Sequence, residues 1–414
     1  MTSRSSLRSV LTLLIALLLV GLAMPSASQA APPGGAGNTS AKSAAKKGLA
    51  NPPAKPVTVM TRNIYLGGDI DRPVRMARDA AAAPGASAQT IVAALAAGSE
   101  HTRNIVDATD FPTRARLLAA EIKRTAPDLV GLQEVALWRS GPLQLEPENL
   151  AVPNATTVDY DFLQLLLDEL NSERPLYSVA VKGERADVES PSFTVGANGQ
   201  LSGRMQDVRL TMHDVIIIRN SGSLTVTDQH DTVFEENLEL GVAGVSFNFD
   251  RGYQWVDVRA GGQSFRFVNT HLEAFSSDIA LDQAEELVAT ATATNTSTVI
   301  ACDCNSDPLN SDIKDIDTVP HKAPYEHITK TFTDQWLQWA PAEEGWTSGL
   351  NERVDEFPPT WTHRIDMIFG RTATGTPLAV DRGEITGDEP GDRDAATGLW
   401  PSDHAGVVLR LRGL

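Results

Sequence analysis

A mixed sheet, or two stacked sheets, with helices on the outside is the architecture that this sequence predicts. Apolar, β-branched runs arrive in adjacent pairs as well as in alternation with helical stretches, whereas a purely parallel, doubly wound sheet would alternate throughout. No internal repeat of useful period is visible in the 414 residues. Several of the apolar runs end on Asn, Glu, His or Asp, so polar chemistry is gathered at strand ends.

The first residues stand outside that unit. Arg4 and Arg8 precede the apolar run at 10–24, which leads to the small-x-small pattern Ser28-Gln29-Ala30. The run is short for a membrane span and has no stop signal, so residues 1–30 read as a secretory signal peptide, with a retained anchor as the alternative. Residues 31–56 are rich in Ala, Pro, Gly, Ser and Lys without apolar periodicity, and read as a disordered linker. Residues 57–414 form the folded domain, large but within reach of a sheet-based fold with insertions.

Within it, Val57–Ile64 reads as a strand bounded by Pro56 and the Gly67-Gly68 turn. Ser87–Ala97 is Ala-rich and helical, and 111–127 has helical apolar spacing closed by Pro127. Asp128–Leu132 is a strand that delivers Glu134. An amphipathic helix at Asp159–Leu170 precedes a strand at Tyr177–Val181, and the polar stretch 183–205 reads as a long surface loop. Val215–Ile218 is a buried strand, with a hairpin expected up to Thr232. Tyr253–Arg259 and Ser264–Thr270 form a second hairpin about Gly261-Gly262. Asp278–Thr294 is helical, and strands follow at Ser297–Ala301, Trp361–Phe369 and Ala405–Leu411.

Charge and cysteine content narrow the function. The net charge is −18, and loss of Arg4 and Arg8 with the leader takes it to −20. Such a surface disfavours tight, non-specific nucleic-acid binding but leaves room for an enzyme that holds DNA briefly. Cys302 and Cys304 are the only cysteines, so no disulfide framework can staple the domain. Two buried thiols are the expected state, with oxidation outside the cell as the alternative, and a thiolate metal site lacks further soft ligands.

The strand ends carry the chemistry. Glu134 follows DLVGLQ, where a carboxylate can leave the core and meet a metal; a solvated loop glutamate is the alternative. Asn63, in TRN, is either near such a site or a turn former. His271 closes FRFVNTHL, with Asn269 and Thr270 placed to hold its tautomer; a structural histidine is the alternative. Asp303 and Asn305, spaced i, i+2, point to one side of an extended segment and suit water activation and phosphoryl binding, or else an Asx turn. Asp366 in RIDMIF needs a partner, either His404 or Arg364, and Asp403 beside His404 would stay free for a metal.

Taken in this order, TRN, QE, NTHL, DCN, RIDMIF and SDH resemble the endonuclease/exonuclease/phosphatase superfamily, over essentially the whole of 57–414. The resemblance implies an α/β (α+β) four-layer sandwich, two stacked mixed β-sheets flanked by helices, and Mg2+-dependent cleavage of phosphate esters, with Mn2+ or Ca2+ as substitutes. It makes Glu134 the principal metal ligand, with Asn63 close by and Asp403 contributing. His271 would contact the phosphate, Asp303 and Asn305 would position water and phosphate, and His404 oriented by Asp366 would be base or transition-state cation. Asp214, in HDVIIIR, stands where related sequences carry a polar site residue, or is an edge-of-strand aspartate. Two departures are Cys302 and Cys304 on either side of Asp303, and Met367 in place of the usual Tyr.

The implied substrate is a phosphodiester, with nucleic acid slightly ahead of phospholipid. A nuclease would use cations such as Arg204, Arg209 and Arg219. A sphingomyelin- or phospholipid-directed type C enzyme would need an apolar wedge, for which Trp336, Trp339 and Trp346 are candidates, although core packing fits their spacing better. A non-catalytic binding protein would have lost a ligand residue, and none is lost. The mature chain is expected to be secreted and monomeric, with no transmembrane span and no stable protein partner.

Overall fold

The computed structural model describes residues 55–145, 152–242 and 245–414. The expected signal peptide and nearly all of the expected linker therefore lie outside the described residues. Two mixed sheets stack face to face, with helices on their outer faces. The first sheet runs Ala379–Thr386, Gly406–Arg412, Val57–Asn63, Leu129–Pro142, Leu201–Arg219, Tyr177–Val195, and Thr157–Asp161 adds to Leu129–Pro142. The second runs Thr333–Asp334, Asp366–Arg371, Ser297–Asp303, Gln263–His271, Gly252–Ala260, Leu224–Val233. A separate pair joins Glu239–Val242 to Val245–Asn248. Among the described residues, no helix is long and apolar enough to cross a membrane.

Three apolar clusters correspond to the three interfaces between four layers. Val57, Val59, Leu129 and Ile216 of the first sheet meet Val256, Phe265, Phe267 and Val299 of the second. Helices Arg72–Ala82, Ala88–Ala108, Phe111–Thr125 and Phe162–Asn171 cover the outside of the first sheet through residues such as Val74, Val106, Leu118 and Leu166. Helix Ser277–Thr292 covers the outside of the second through Ala280, Ala284 and Leu287. Alternating inward and outward side chains make this layering possible.

Polar groups lock the sheets together near the site. Asn269 donates to Leu132 O and Val215 O of the opposite sheet, at 3.1 and 3.4 Å. Gln133 donates in turn to Asn269 Oδ1 at 2.7 Å. Gly131 is needed here, because a Cβ would stand 2.4 Å from Asn269 Oδ1. Buried hydrogen bonds that cross between the sheets in this way favour one register of the two sheets.

Several local expectations are corrected. The stretch 183–205 is no loop: Tyr177–Val195 and Leu201–Arg219 form one long hairpin, closed by Gly196 N–H to Gln200 O at 2.9 Å. Most of its polar residues meet solvent, whereas Arg185 and Ser192 are buried, and Ala186, Val188 and Phe193 pack inward or partly so. Leu224–Val233 makes no hairpin with the strand before it but crosses to the other sheet and pairs with Gly252–Ala260. Thr157–Asp161 is a strand, so the helix begins only at Phe162, capped by Asp161. Ala379–Thr386 was not anticipated; its half-exposed, charged face hides the apolar alternation of an edge strand.

Cys302 and Cys304 are joined by a disulfide rather than standing as thiols. Residues two apart on an extended strand share a face, and the Cα–Cα distance of 5.2 Å lies in the bridging range.

Candidate active site

Strand register assembles the site in two halves. In the second sheet His271 is paired with Asp303, and Asp303 with Asp366, so three neighbouring strands place these side chains in one row. In the first sheet Asn63 lies opposite Gln133, and Glu134 follows at a bulge with φ +59°. Tyr65 (φ +58°) and Asn305 (φ +43°) share that left-handed conformation. Non-glycine residues hold it only where surrounding contacts impose it, and such outliers gather at functional sites.

A cavity of about 350 Å³ opens between the halves, lined by Glu134, His271, Asp303, Asn305, Asp403 and His404. Asp366 stands behind His404 and accepts from its Nδ1 at 2.8 Å. Arg364 is not its partner, since it pairs with Asp334 at 2.7 Å. Burial opposes the His404 imidazolium, but Asp366, Asp303 and Asp403 together outweigh it and raise its pKa well above the ordinary value.

Asp303 is fully buried. Its Oδ2 accepts from Asn63 Nδ2 at 2.9 Å and lies 3.4 Å from His271 Nε2, and its Oδ1 accepts from the Asn305 backbone N–H at 3.1 Å. Burial, reinforced by Asp366, raises its carboxyl to about 7. Asn63 also accepts from Tyr65 N through Oδ1, so its amide supports Asp303 from behind and does not line the cavity.

The sequence reading missed Arg251. It lines the cavity and donates from Nη1 to His271 Nδ1 at 2.9 Å. Because a guanidinium can only donate, the His271 proton sits on Nε2, facing Asp303. Burial, and then Arg251, hold the His271 pKa well below its usual value. Asn269 and Thr270 do not touch this ring: Asn269 binds across the sheets, and Thr270 donates to Gly252 O at 2.9 Å. Arg114 was also missed. It donates to Ile64 O, Tyr65 O and Pro401 O, tying together the two loops that carry Asn63 and Asp403.

Asp214 lies outside this group. It is buried against Arg185, with Oδ2 3.0 Å from Nε, and does not line the cavity. Arg204 and Arg209 are engaged with Asp107 and Asp187, Arg219 donates to Ala126 O, and none lines the cavity. Trp336 belongs to the inter-sheet core, whereas Trp339 and Trp346 are partly exposed.

The donor set suits a hard divalent cation. Glu134 and Asp403 face one cavity without an ion-pair partner among the described residues, and Glu134 adds to the burial that raises Asp403 to about 6. Glu134 Oε2 is aimed by the Leu66 N–H at 2.9 Å. Asp303, Asp366 and His404 form a second set able to hold a metal, one ligand atom from each lying within 4.8 Å of the others. His404 Nδ1 is already committed to Asp366, so Glu134 and Asp403 offer the freer oxygens.

The model of the endonuclease/exonuclease/phosphatase family matches residues 98–404, well over half of the chain. The chain belongs to this family. It is accordingly a phosphoesterase by family, with a buried Asp/Asp/His site. No curated protein sequence matches it. Among solved structures it is similar to TDP2 of D. rerio complexed with single strand DNA product, at 16% identity over 86% of this chain and 99% of that one, TM-score 0.48. A family protein from Bacteroides vulgatus gives 17% identity over 87% and 100%, TM-score 0.48. The mannosyl-6-phosphatase Bt3783 of Bacteroides thetaiotaomicron gives 16% over 86% and 99%, TM-score 0.46.

Proposed function

We propose that this family member is a secreted, Mg2+-dependent phosphodiesterase, of nuclease or general type, that hydrolyses its substrate by in-line attack of water. The observation that carries the reading is the row of His271, Asp303 and the Asp366–His404 pair, facing Glu134 and Asp403 across one cavity. A divalent cation held by Glu134 and Asp403, with Asn63 in the shell behind, would neutralise charge on the phosphoryl and leaving oxygens.

This chain's own residues do the rest. Asp303 is the base: its carboxylate meets only hydrogen-bond donors and lies at the cavity floor, where it can take the proton of an attacking water. His404, held by a buried carboxylate, is the cation that stabilises developing charge. His271 presents Nε2–H, and Asn305, anchored by its Nδ2 to Leu272 O at 3.0 Å, is placed to orient the phosphoryl group. No covalent intermediate is needed. Secretion rests on the leader at residues 1–30, and a monomeric state is part of the same proposal.

One observation favours a second reading, a type C enzyme acting on sphingomyelin or another phospholipid. Phe275 at the cavity edge and Leu309, Ile313 and Ile316 on the adjoining loop are exposed, and Lys314 ties that loop to Phe275 O at 3.1 Å. The deciding experiment is a Mg2+-dependent hydrolysis panel of duplex DNA, RNA, sphingomyelin vesicles and a soluble chromogenic phosphodiester, with a His404→Ala control. Turnover of nucleic acid or the soluble ester, lost in the control, supports the first reading, and turnover of vesicles alone supports the second. No metal-dependent turnover of any substrate would refute both.

A further inference from the structure

The disulfide between Cys302 and Cys304 brackets the base of the proposed reaction. The two sulfurs lie on the helix side of the second sheet, in the core with Ile300 and Met367, while Asp303 between them faces the cavity. The bridge closes a loop of only three residues, and loop-closure stabilisation grows with the length enclosed. Its contribution to global stability is therefore small for a disulfide, and its effect is local.

Locally it spans the most constrained backbone in the site. Asp303 O accepts from Leu272 N at 3.0 Å, and Cys304 N donates to Ile365 O at 2.8 Å. One residue later Asn305 turns to φ +43°, and its N–H caps Asp303 Oδ1 at 3.1 Å. The Asp303 carboxylate is buried with neutral donors on it, and His404 Nδ1 is no closer than 3.7 Å. Such a group gains free energy by turning towards water. Rotation about the backbone of Asp303 and Cys304 would redirect the carboxylate in this way, and the small ring restricts that rotation. Two separate thiols would also need van der Waals spacing in a core where both residues are wholly buried, and a close-packed interior passes such a displacement to the chain.

We propose that the Cys302–Cys304 disulfide is a positioning device for Asp303 and Asn305, acquired in an oxidising folding environment, and that it sets kcat rather than fold stability. The inference rests on the hydrolytic reading above. Forming the bridge takes two protons and two electrons from the two thiols, and a small-molecule disulfide such as oxidised glutathione receives them as it becomes two thiols. Both sulfurs are buried in the finished fold, so the redox state is fixed while the chain folds.

The test folds the full chain either with oxidised glutathione or with dithiothreitol, and counts free thiols by alkylation and mass spectrometry. Cys302→Ser/Cys304→Ser and Cys302→Ala/Cys304→Ala variants stand beside them, in case one pair does not fold. The oxidised protein should hold no free thiol. The reduced form and the double variants should keep KM and melt within a few degrees of it, but lose about tenfold in kcat on a soluble phosphodiester. Exchange of the Cys304 and Asn305 amide protons should be about tenfold faster without the bridge, a readout that stands whether or not a substrate is turned over. Equal kcat with equal exchange, or two free thiols in the oxidised preparation, overturns the proposal. Absence of hydrolysis in every form, with exchange still dependent on the bridge, would overturn the hydrolytic reading and leave the bridge a local clamp without a catalytic role.

Discussion

Replacing Asp366 by Asn tests whether His404 works as a cation. The two are joined at 2.8 Å, and the Asp366 side chain is wholly buried, so the substitution preserves shape and removes one charge. Burial alone would lower the His404 pKa, and Asp366 is the first of the carboxylates that reverse this. A hydrogen bond to a charged group is worth about 1.5–3 kcal/mol, which corresponds to about ten- to two-hundred-fold in rate if the imidazolium is needed in the transition state. The assay is kcat against pH on a soluble phosphodiester at saturating Mg2+. The expected result is a fall of that size with KM little changed. The alkaline limb should also move to lower pH, because an imidazolium with less support loses its proton earlier. A variant within twofold of the parent, with the limb unmoved, would refute the reasoning.

Three further outcomes follow from the same geometry. Asp303→Asn should abolish turnover yet raise Tm in chelator. The folded carboxyl, raised to about 7, lies above its unfolded value, so ionisation costs stability progressively from about pH 4 to 7. The Tm gain should therefore be larger at pH 8 than at pH 5, partly offset by loss of one acceptor, and an equal or inverted difference would sink the argument. Arg251→Met should free His271 Nδ1 and let the ring change tautomer, lowering kcat about tenfold or more for a lost charged hydrogen bond; proton NMR of the ring, reporting an unchanged Nε2–H tautomer, would contradict this. Asp214→Ala should cost stability at the lower end of about 3–5 kcal/mol, because Asp231 still holds Arg185, while kcat per folded molecule survives; a catalytic collapse without destabilisation would return Asp214 to the site.

The fold was legible where burial is one-sided. Gln263–His271 and Gly252–Ala260 show their hairpin because a tight glycine turn separates two apolar runs, and Ser297–Asp303 is buried along its whole length. Legibility failed at the edges of the sheets. Tyr177–Val195 and Leu201–Arg219 pair over most of their length, yet their outer residues are charged or small because one face meets water. An edge strand with such a face carries almost the composition of a loop. The jump of Leu224–Val233 to the opposite sheet was hidden for another reason: proximity in sequence favours a hairpin, and only tertiary packing decides between sheets.

The site divides along a similar line. Each residue at a strand end could be proposed from the sequence, because a carboxylate or imidazole beside an apolar run has few comfortable explanations. What could not be read is which neighbour holds each one. His271 stands beside Asn269 and Thr270 in sequence, but Thr270 turns to the other face of the strand and donates to Gly252 O within its own sheet, and Asn269, on the same face as His271, is committed to Leu132 O of the opposite sheet. Its true partner, Arg251, comes from the start of the preceding strand, opposite Phe234. A basic residue just before an apolar run leaves the same trace as a solvent-facing end residue, so composition gives no sign of it. The disulfide was hidden by an argument that remains sound: a C-x-C pair cannot staple a domain. That argument weighed global stability, whereas a ring of three residues acts on the one residue it encloses, and here that residue is Asp303.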